Sequence, residues 1–425
     1  MLDQKKYNEY LAILKEELVP AMGCTEPIAL AYAAAKAREI LGSLPERVEV
    51  EVSGSIIKNV KSVIVPNTGH LKGIAAAVAA GIVAGEADRE LEVISQVDEK
   101  KRAEIRDYLE NVRIEIEHIE KGHIFDIWIK EYHQDDCVLV RIADYHTNIV
   151  LISKNAEILF KKDVVTNEVK PRADRSLLNV ADIYQFANIV NLDDVKELIS
   201  RQISYNNAIA EEGLMGDYGA NIGSVLLNAF GNSVSIRAKA KAAAGSDARM
   251  NGCELPVIIN SGSGNQGITC SVPLIEYAKE LSCSKDKLYR ALVLANLVTI
   301  HEKTGIGTLS AYCGAVSAGA GAGAGIAYLY DGDLEIISKT ISNALAIVSG
   351  IVCDGAKASC AAKIASSVDA GILGFQMAKR GQEFKGGDGI VMKDIESTIR
   401  SISTLGSKGM SSTNDEIIRL MIQEK

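Results

Sequence analysis

Three cysteines in the C-terminal third of the chain are the residues whose type and spacing most directly suggest chemistry. Cys313, Cys353 and Cys360 lie among alanine, glycine and serine and are separated by 40 and then 7 residues. Three thiolates can hold a [4Fe-4S] cluster and leave one iron open to a small molecule. The spacing alone is weak support, because free cysteine is among the most buried residue types. Zinc fits less well, since structural zinc usually takes a closely spaced cysteine pair and a fourth nearby ligand.

Cys24 is a fourth thiol of interest, in the segment Gly23-Cys24-Thr25-Glu26-Pro27. A helix is predicted to begin at Thr25, and a thiol at a helix start tends to have a lowered pKa. This setting suits a base or a nucleophile, and the alternative is a small buried residue at a helix start. The remaining cysteines have no nearby partner in the sequence and are interpreted as structural: Cys137, Cys253, Cys270 and Cys283.

The segment Cys353-Asp354-Gly355-Ala356-Lys357-Ala358-Ser359-Cys360 sets the geometry of two of the thiols. We expect Asp354 to cap a helix that starts at Gly355, so that Cys353 precedes the helix. The free amides of such a helix start favour bound anionic sulfur. Lys357 would lie in the same first turn and could contact an anionic substrate.

A second glycine-rich segment, Asn260-Ser261-Gly262-Ser263-Gly264-Asn265-Gln266-Gly267, precedes an apolar helix. Hydroxyls and amides at a helix start form an anion site, and the missing Gly-Lys-Ser/Thr sequence argues against a phosphate-binding loop of nucleotide enzymes. A substrate carboxylate is the expected guest, and a simple turn between helices is the alternative. The candidate contacts are Ser261, Ser263, Asn265 and Gln266.

A similar turn at residues 66–73 offers Asn67, Thr68 and His70 as further candidate contacts to the same anion. Two other polar segments have structural interpretations. Residues 144–148 are interpreted as a hairpin turn, and residues 301–303 as the solvated end of a helix.

Composition restricts the function classes. The chain has 425 residues, 47% hydrophobic and 24% charged, and a net charge of −9, which argues against a nucleic-acid partner. The N-terminal segment lacks the apolar core of a secretory signal, so the eight cysteines are expected to be reduced in a cytoplasmic protein. The 26 uncharged residues from Gly305 to Tyr330 are rich in glycine, alanine and serine, which favours a buried, closely packed segment over a membrane span.

The elements that must position these residues fall into two types. Helical spacing marks residues 7–41 as two helices, and alternation of Val48, Val50 and Val52 with polar residues predicts a strand. Further strand patterns follow up to residue 153, and helices dominate from about residue 176. The predicted class is α+β: a mostly helical catalytic body, 1–45 plus 165–425, with an inserted small α+β domain, 46–164, built on an antiparallel sheet.

Five motifs taken together resemble the L-cysteine desulfidase family, which is related to the α chain of iron–sulfur L-serine dehydratases. The resemblance covers nearly the whole chain, and the spacing of the last two cysteines is nearer to the desulfidases than to the dehydratases. The motifs, in chain order, are Gly23-Cys24-Thr25-Glu26-Pro27, Asn67-Thr68-Gly69-His70, Ser261–Gly267, Tyr312-Cys313-Gly314-Ala315 and Cys353–Cys360.

The resemblance implies one [4Fe-4S] cluster per chain, held by Cys313, Cys353 and Cys360, and a proton-accepting thiol at Cys24. It implies β-elimination of L-cysteine to pyruvate, ammonia and hydrogen sulfide. Three alternatives stay open: dehydration of L-serine or another β-substituted amino acid at the same site, a non-enzymatic iron–sulfur redox sensor, and a metal-free helical protein. The expected partner is a small amino-acid substrate, without nucleic acid or membrane, and a homo-oligomer is allowed.

Overall fold

Two hydrophobic cores organise the computed structural model, which describes residues 2–120, 122–155, 157–162, 173–307 and 309–423. The larger core joins the N-terminal helix to the helices beyond residue 178. The smaller core begins at Cys24 and contains the main sheet and the helices against it. The fold is mostly helical and of the α+β class, as predicted.

Six strands form the main sheet, and two short strands pair elsewhere. The buried faces of the main sheet are apolar because valine and isoleucine alternate with polar residues, as predicted at Val48, Val50 and Val52. The strands are β1 (Pro20–Met22), β2 (Arg47–Ser53), β3 (Arg113–Ile119), β4 (Asp126–His133), β5 (Asp136–Ala143), β6 (Ile149–Lys154), β7 (Glu157–Lys161) and β8 (Pro256–Ile258).

The main sheet is largely antiparallel, as predicted, but it contains one parallel pair. Its strand order is β3-β2-β4-β5-β6-β7, and β2 pairs with β3 in parallel while the other neighbours are antiparallel. Three α-helices and one 3₁₀ helix intervene between β2 and β3, and a crossover of that length lets the chain return in the same direction. The β1–β8 pair was also missed, because three-residue strands are too short to show a period.

Helices supply most of the described structure, and the long ones pack in the larger core. They are α1 (Gln4–Glu17), α2 (Thr25–Leu41), α3 (Gly54–Val60), α4 (Gly73–Ala84), α5 (Glu99–Asn111), α6 (Val180–Ile189), α7 (Lys196–Met215), α8 (Ile222–Phe230), α9 (Val234–Met250), α10 (Gly264–Glu280), α11 (Lys285–Ile306), α12 (Gly314–Leu329), α13 (Leu334–Val348), α14 (Ser359–Ala378), α15 (Ile395–Thr404) and α16 (Ser411–Gln423).

The division into a body, 1–45 plus 165–425, and an inserted domain, 46–164, stays a prediction. Its boundary at 164 and 165 lies outside the described residues. Helix α2 shares the smaller core with the sheet, although its residues were assigned by sequence to the helical body. By its packing, α2 therefore belongs with the sheet.

Helix α12 carries the uncharged glycine-rich segment and is buried in the larger core. A Cβ on Gly319 would lie 2.4 Å from the carbonyl oxygen of Ser367 in α14, and a Cβ on Gly321 would lie 2.2 Å from Oγ1 of Thr299 in α11. The glycines therefore allow two neighbouring helices to approach α12 closely, as predicted. Every helix in the described part of the chain falls short of the length or apolarity needed to cross a membrane.

We predict that Gly319→Ala lowers the free energy of unfolding by about 1–3 kcal/mol, because the added methyl group overpacks the α12–α14 contact. Urea unfolding followed by circular dichroism measures the change. Gly350→Ala is the matched control, since a Cβ there meets nothing within 4 Å. Equal unfolding midpoints for the two variants would show that α12 and α14 are not closely packed at Gly319.

Candidate active site

A cavity of about 120 Å³ brings together all four thiols singled out in the sequence. Its walls come from α2, α3 and the β5–β6 connection on one side and from the helices and loops of the larger core on the other. We call it the cysteine cavity; the lining residues used below are Cys24, Glu26, Lys58, Asn59, His146, Arg249, Ser261, Ser263, Asn265, Gln266, Lys303, Tyr312, Cys313, Cys353 and Cys360.

A short antiparallel bridge places Cys313 near Cys353. Tyr312 pairs with Val352, and the N–H of Cys313 donates to Ile351 O at 3.2 Å. The N–H of Cys353 donates to the carbonyl of the residue before Tyr312 at 2.6 Å. Because side chains alternate along extended backbone, the two cysteines flank the bridged pair on the same face. Backbone pairing thus brings together two cysteines that are 40 residues apart in the sequence.

The chain turns back after Cys353 and delivers Cys360 to the same cavity. Gly355 has φ of 98°, and a Cβ there would lie 2.0 Å from the carbonyl oxygen of Lys58. Helix α14 then begins at Ser359, so Cys353 precedes the helix, as predicted. The predicted cap was wrong, because the Asp354 carboxylate pairs with Lys357 and Lys363 instead of closing the helix start.

Cys24 is the N-cap residue of α2 and is buried. Gly23 before it has φ of 61° and packs against Pro66, which fixes the approach of the chain. Burial raises the pKa of the Cys24 thiol to about 12, and Arg249 acts in the opposite direction. The predicted lowering of this pKa by the helix start was therefore wrong, because desolvation of the thiolate outweighs the helix terminus.

The glycine-rich loop before α10 lies against the cysteine cavity. Ser261, Ser263, Asn265 and Gln266 all line it, and Ser261 adopts φ of 49°. The loop contacts the start of α2, since the Thr25 hydroxyl oxygen lies 3.3 Å from the carbonyl oxygen of Gly262. The structure thus places this candidate substrate loop beside the four thiols.

Four predicted substrate contacts are not among the residues that line the cysteine cavity. The Thr68 hydroxyl donates to Val65 O at 2.7 Å within its own turn, and the Asn67 side chain donates to Ile94 O at 2.8 Å, which ties the turn to a later segment. His70 is exposed. Lys357 donates to Asp354, with Nζ 2.6 Å from the carbonyl oxygen and 2.8 Å from the carboxylate.

Two buried lysines line the cavity instead: Lys58, which was not predicted to be functional, and Lys303, which was assigned to a solvated helix end. Lys58 Nζ donates to Asn414 Oδ1 at 2.7 Å and to Cys353 O at 3.3 Å. Lys303 is 5% exposed, and burial lowers its pKa to about 8. A sequence signal exists for Lys58, because Lys58 and Asn59 are polar residues flanked by apolar ones on both sides.

Two polar segments that were interpreted as structural, residues 144–148 and 301–303, also contribute residues to the cysteine cavity. His146 stands in the predicted turn between β5 and β6, yet it lines the cavity and its Nε2 is buried without a hydrogen-bond partner in the described structure. Burial lowers the pKa of His146. The predicted solvated helix end at residues 301–303 was wrong: α11 runs on to Ile306, and Glu302 is only 1% exposed. Periodicity does not reveal that this end of the helix is covered by tertiary packing.

Cys313, Cys353 and Cys360 are the residues that could hold a [4Fe-4S] cluster. The described residues contain no group of three histidine, cysteine, aspartate or glutamate side chains close enough to share one ion. Ligands of a cubane cluster bind separate iron atoms, so they need not converge on one point. Cys313, Cys353 and Cys360 are free thiols that line one cavity, and burial, followed by the neighbouring Cys353 and Cys360, raises the pKa of the Cys313 thiol. Lys58, Lys303 and Lys363 supply positive charge around them.

Comparison with known proteins gives matches along almost the whole chain. It is 61% identical to a UPF0597 protein of Desulfitobacterium hafniense, over 98% of this chain and 97% of the relative. It is 50% identical to a UPF0597 protein of Lachnoclostridium phytofermentans, over 98% of this chain and 100% of the relative. A UPF0597 protein of Treponema denticola is 46% identical over the full length of both.

The family model for the serine dehydratase alpha chain matches residues 88–419. This range contains the glycine-rich loop, Arg249, Lys303 and the three cysteines Cys313, Cys353 and Cys360. The match confirms the predicted relation to the iron–sulfur serine dehydratases and indicates a lyase of the dehydratase type. The chain belongs to the serine dehydratase alpha chain family.

Proposed function

We propose that the protein is a [4Fe-4S]-dependent lyase that converts L-cysteine to pyruvate, ammonia and hydrogen sulfide. The observation that carries the proposal is the convergence of Cys24, Cys313, Cys353 and Cys360 on one cavity from separate parts of the chain. The proposal places the protein in a reducing cytoplasm, where eight free thiols persist.

Cys313, Cys353 and Cys360 would hold the cluster, and the open iron would supply Lewis acidity toward the leaving sulfur. The glycine-rich loop with Ser261 and Ser263 would orient the amino acid in the cavity. His146 and Lys58 would cover the substrate from the side of the sheet and limit the entry of water. The cations near the thiols would offset the negative charge of three thiolates.

Cys24 is the proposed proton acceptor. Removal of the α-proton turns the C–H electron pair into a carbon–carbon double bond, and the Cβ–S pair leaves with hydrosulfide. The remaining 2-aminoacrylate tautomerises and takes up water to give pyruvate and ammonia. Burial favours the neutral thiol at Cys24, so the role depends on nearby positive charge, and the Arg249 guanidinium already lowers this pKa.

Dehydration of L-serine is the second candidate, and the family match favours it. The same cavity would serve, because L-serine and L-cysteine differ only in the atom that leaves Cβ. Sulfur is the softer leaving atom and suits iron better. The two candidates therefore share every residue role above and differ in substrate.

We predict that the protein purified without oxygen contains about four iron atoms per chain and releases sulfide and pyruvate in equal amounts from L-cysteine. Iron and acid-labile sulfide analysis measures the first, and product assays with L-cysteine and L-serine in parallel measure the second. Faster pyruvate formation from L-serine would replace the desulfidase proposal by the dehydratase. A cluster that changes with oxygen but supports no turnover would identify a redox sensor. Protein free of iron would exclude the desulfidase, the dehydratase and the redox sensor.

A further inference from the structure

Arg249 is a buried cation that the proposed chemistry does not fully use. It lies near the end of α9, is 2% exposed and lines the cysteine cavity. Its Nη1 donates to Asn265 Oδ1 at 3.1 Å, while its Nε is buried without a hydrogen-bond partner. No carboxylate of the described residues forms an ion pair with it. A buried, unpaired charge is costly, which indicates that an anion occupies this place in the working protein.

The start of α10 adds to the same positive region. A Cβ on Gly264 would lie 2.3 Å from Nε of Arg249, so the guanidinium packs directly on the first residue of this 17-residue helix. The N-cap residue, Ser263, makes no side-chain hydrogen bond to the helix start. The Ser263 side chain therefore does not occupy the first-turn amides, and the helix dipole favours negative charge there.

A negative group lines the same cavity. The Glu26 carboxylate accepts hydrogen bonds from Asn59 at 2.9 Å and from Thr25 at 3.2 Å. Glu26 and Arg249 form no ion pair with each other in the described structure, although both line the cavity. One fixed negative and one fixed positive group suit a small zwitterion better than a simple anion.

We propose that Arg249, with the first-turn amides of α10, binds the α-carboxylate of a zwitterionic α-amino acid. The planar guanidinium can donate two parallel hydrogen bonds to a carboxylate, which an ammonium group cannot do. The site would then select amino acids with a free α-carboxylate and reject their amides. The inference deepens the proposed function and rests on it for the reaction, but it concerns binding, which can be measured without turnover.

L-alanine tests the inference, because it has the α-carboxylate and α-ammonium but no leaving group. Calorimetry on the full chain purified without oxygen should show binding of L-alanine, and roughly 10- to 100-fold weaker binding of L-alaninamide, from the loss of charged hydrogen bonds. Arg249→Gln should weaken the binding of L-alanine by a similar factor and remove the difference in affinity between the two ligands. The affinity of Arg249→Lys for L-alanine should lie between those of the unchanged protein and Arg249→Gln. Arg237→Gln, on the same helix but paired with Glu280 outside the cavity, is the control and should bind as the unchanged protein does.

Equal affinity of the unchanged protein for L-alanine and L-alaninamide would overturn the inference, as would absence of L-alanine binding. Circular dichroism checks that Arg249→Gln folds. If this variant does not fold, the inference is tested by comparing L-alanine with L-alaninamide on the unchanged protein and on Arg249→Lys. Failure of the proposed function is a separate result, seen as missing iron or missing turnover while L-alanine binding still depends on Arg249.

Discussion

Cys353→Ser protein purified without oxygen is expected to lose its cluster, with iron per chain and turnover falling close to background. Serine cannot supply the soft thiolate that iron–sulfur clusters require. Cys353 is held opposite the segment of Cys313 by the backbone bridge, so the substitution should leave the local fold intact. Cys313→Ser and Cys360→Ser are expected to behave alike, because the three thiols line one cavity.

Iron analysis, visible absorption and pyruvate release measure the three variants side by side. Cys283→Ser is the matched control, since Cys283 is a partly buried free thiol that does not line the cavity. Iron content unchanged in any one of the three variants would remove that cysteine from the ligand set.

Cys24→Ala is expected to keep the cluster but lose turnover by about 10²- to 10⁴-fold, the usual contribution of a positioned acid or base. Cys24 caps α2 without a side-chain hydrogen bond to the helix, so alanine should preserve the helix start. The measurement is the rate of pyruvate release from L-cysteine at saturating substrate, together with the visible spectrum.

Cys253→Ala provides the comparison for loss of a buried thiol outside the cavity, and its activity should match that of the unchanged protein. Full activity in Cys24→Ala would exclude Cys24 as the base. Loss of iron in Cys24→Ala would instead identify it as a ligand of the cluster.

The fold was largely predictable because its periodic patterns are strong. Alternation around Val50 predicted β2, and helical spacing predicted α1 and α2. The parallel pairing of β2 with β3 was not predictable, since strand direction depends on how the intervening helices pack. The short β1–β8 pair joins residues more than 200 positions apart and leaves no local signal.

Within the site, chemistry-bearing residue types were easier to find than charges placed by packing. The thiols and the loop of Ser261 and Ser263 stand out by composition, and all line the cavity. Arg249 did not stand out, and Lys303 was assigned to a solvated helix end, because a charged residue on a helix is usually exposed and burial is decided by the neighbouring helices. His70 was predicted as a substrate contact because of its loop, but it is exposed and does not line the cavity. Tertiary packing decides the position of that loop as well.

The sequence by itself determined the four thiols, the order of the motifs and the resemblance that relates the chain to iron–sulfur dehydratases. These depend on residue identity, which is local information. Only the tertiary structure decided that Cys24 is buried enough to raise its pKa, that the cavity is lined with Lys58, Lys303 and Arg249, and that Glu26 stands in the same cavity. Desolvation and charge proximity arise when distant segments pack together, so no local pattern carries them.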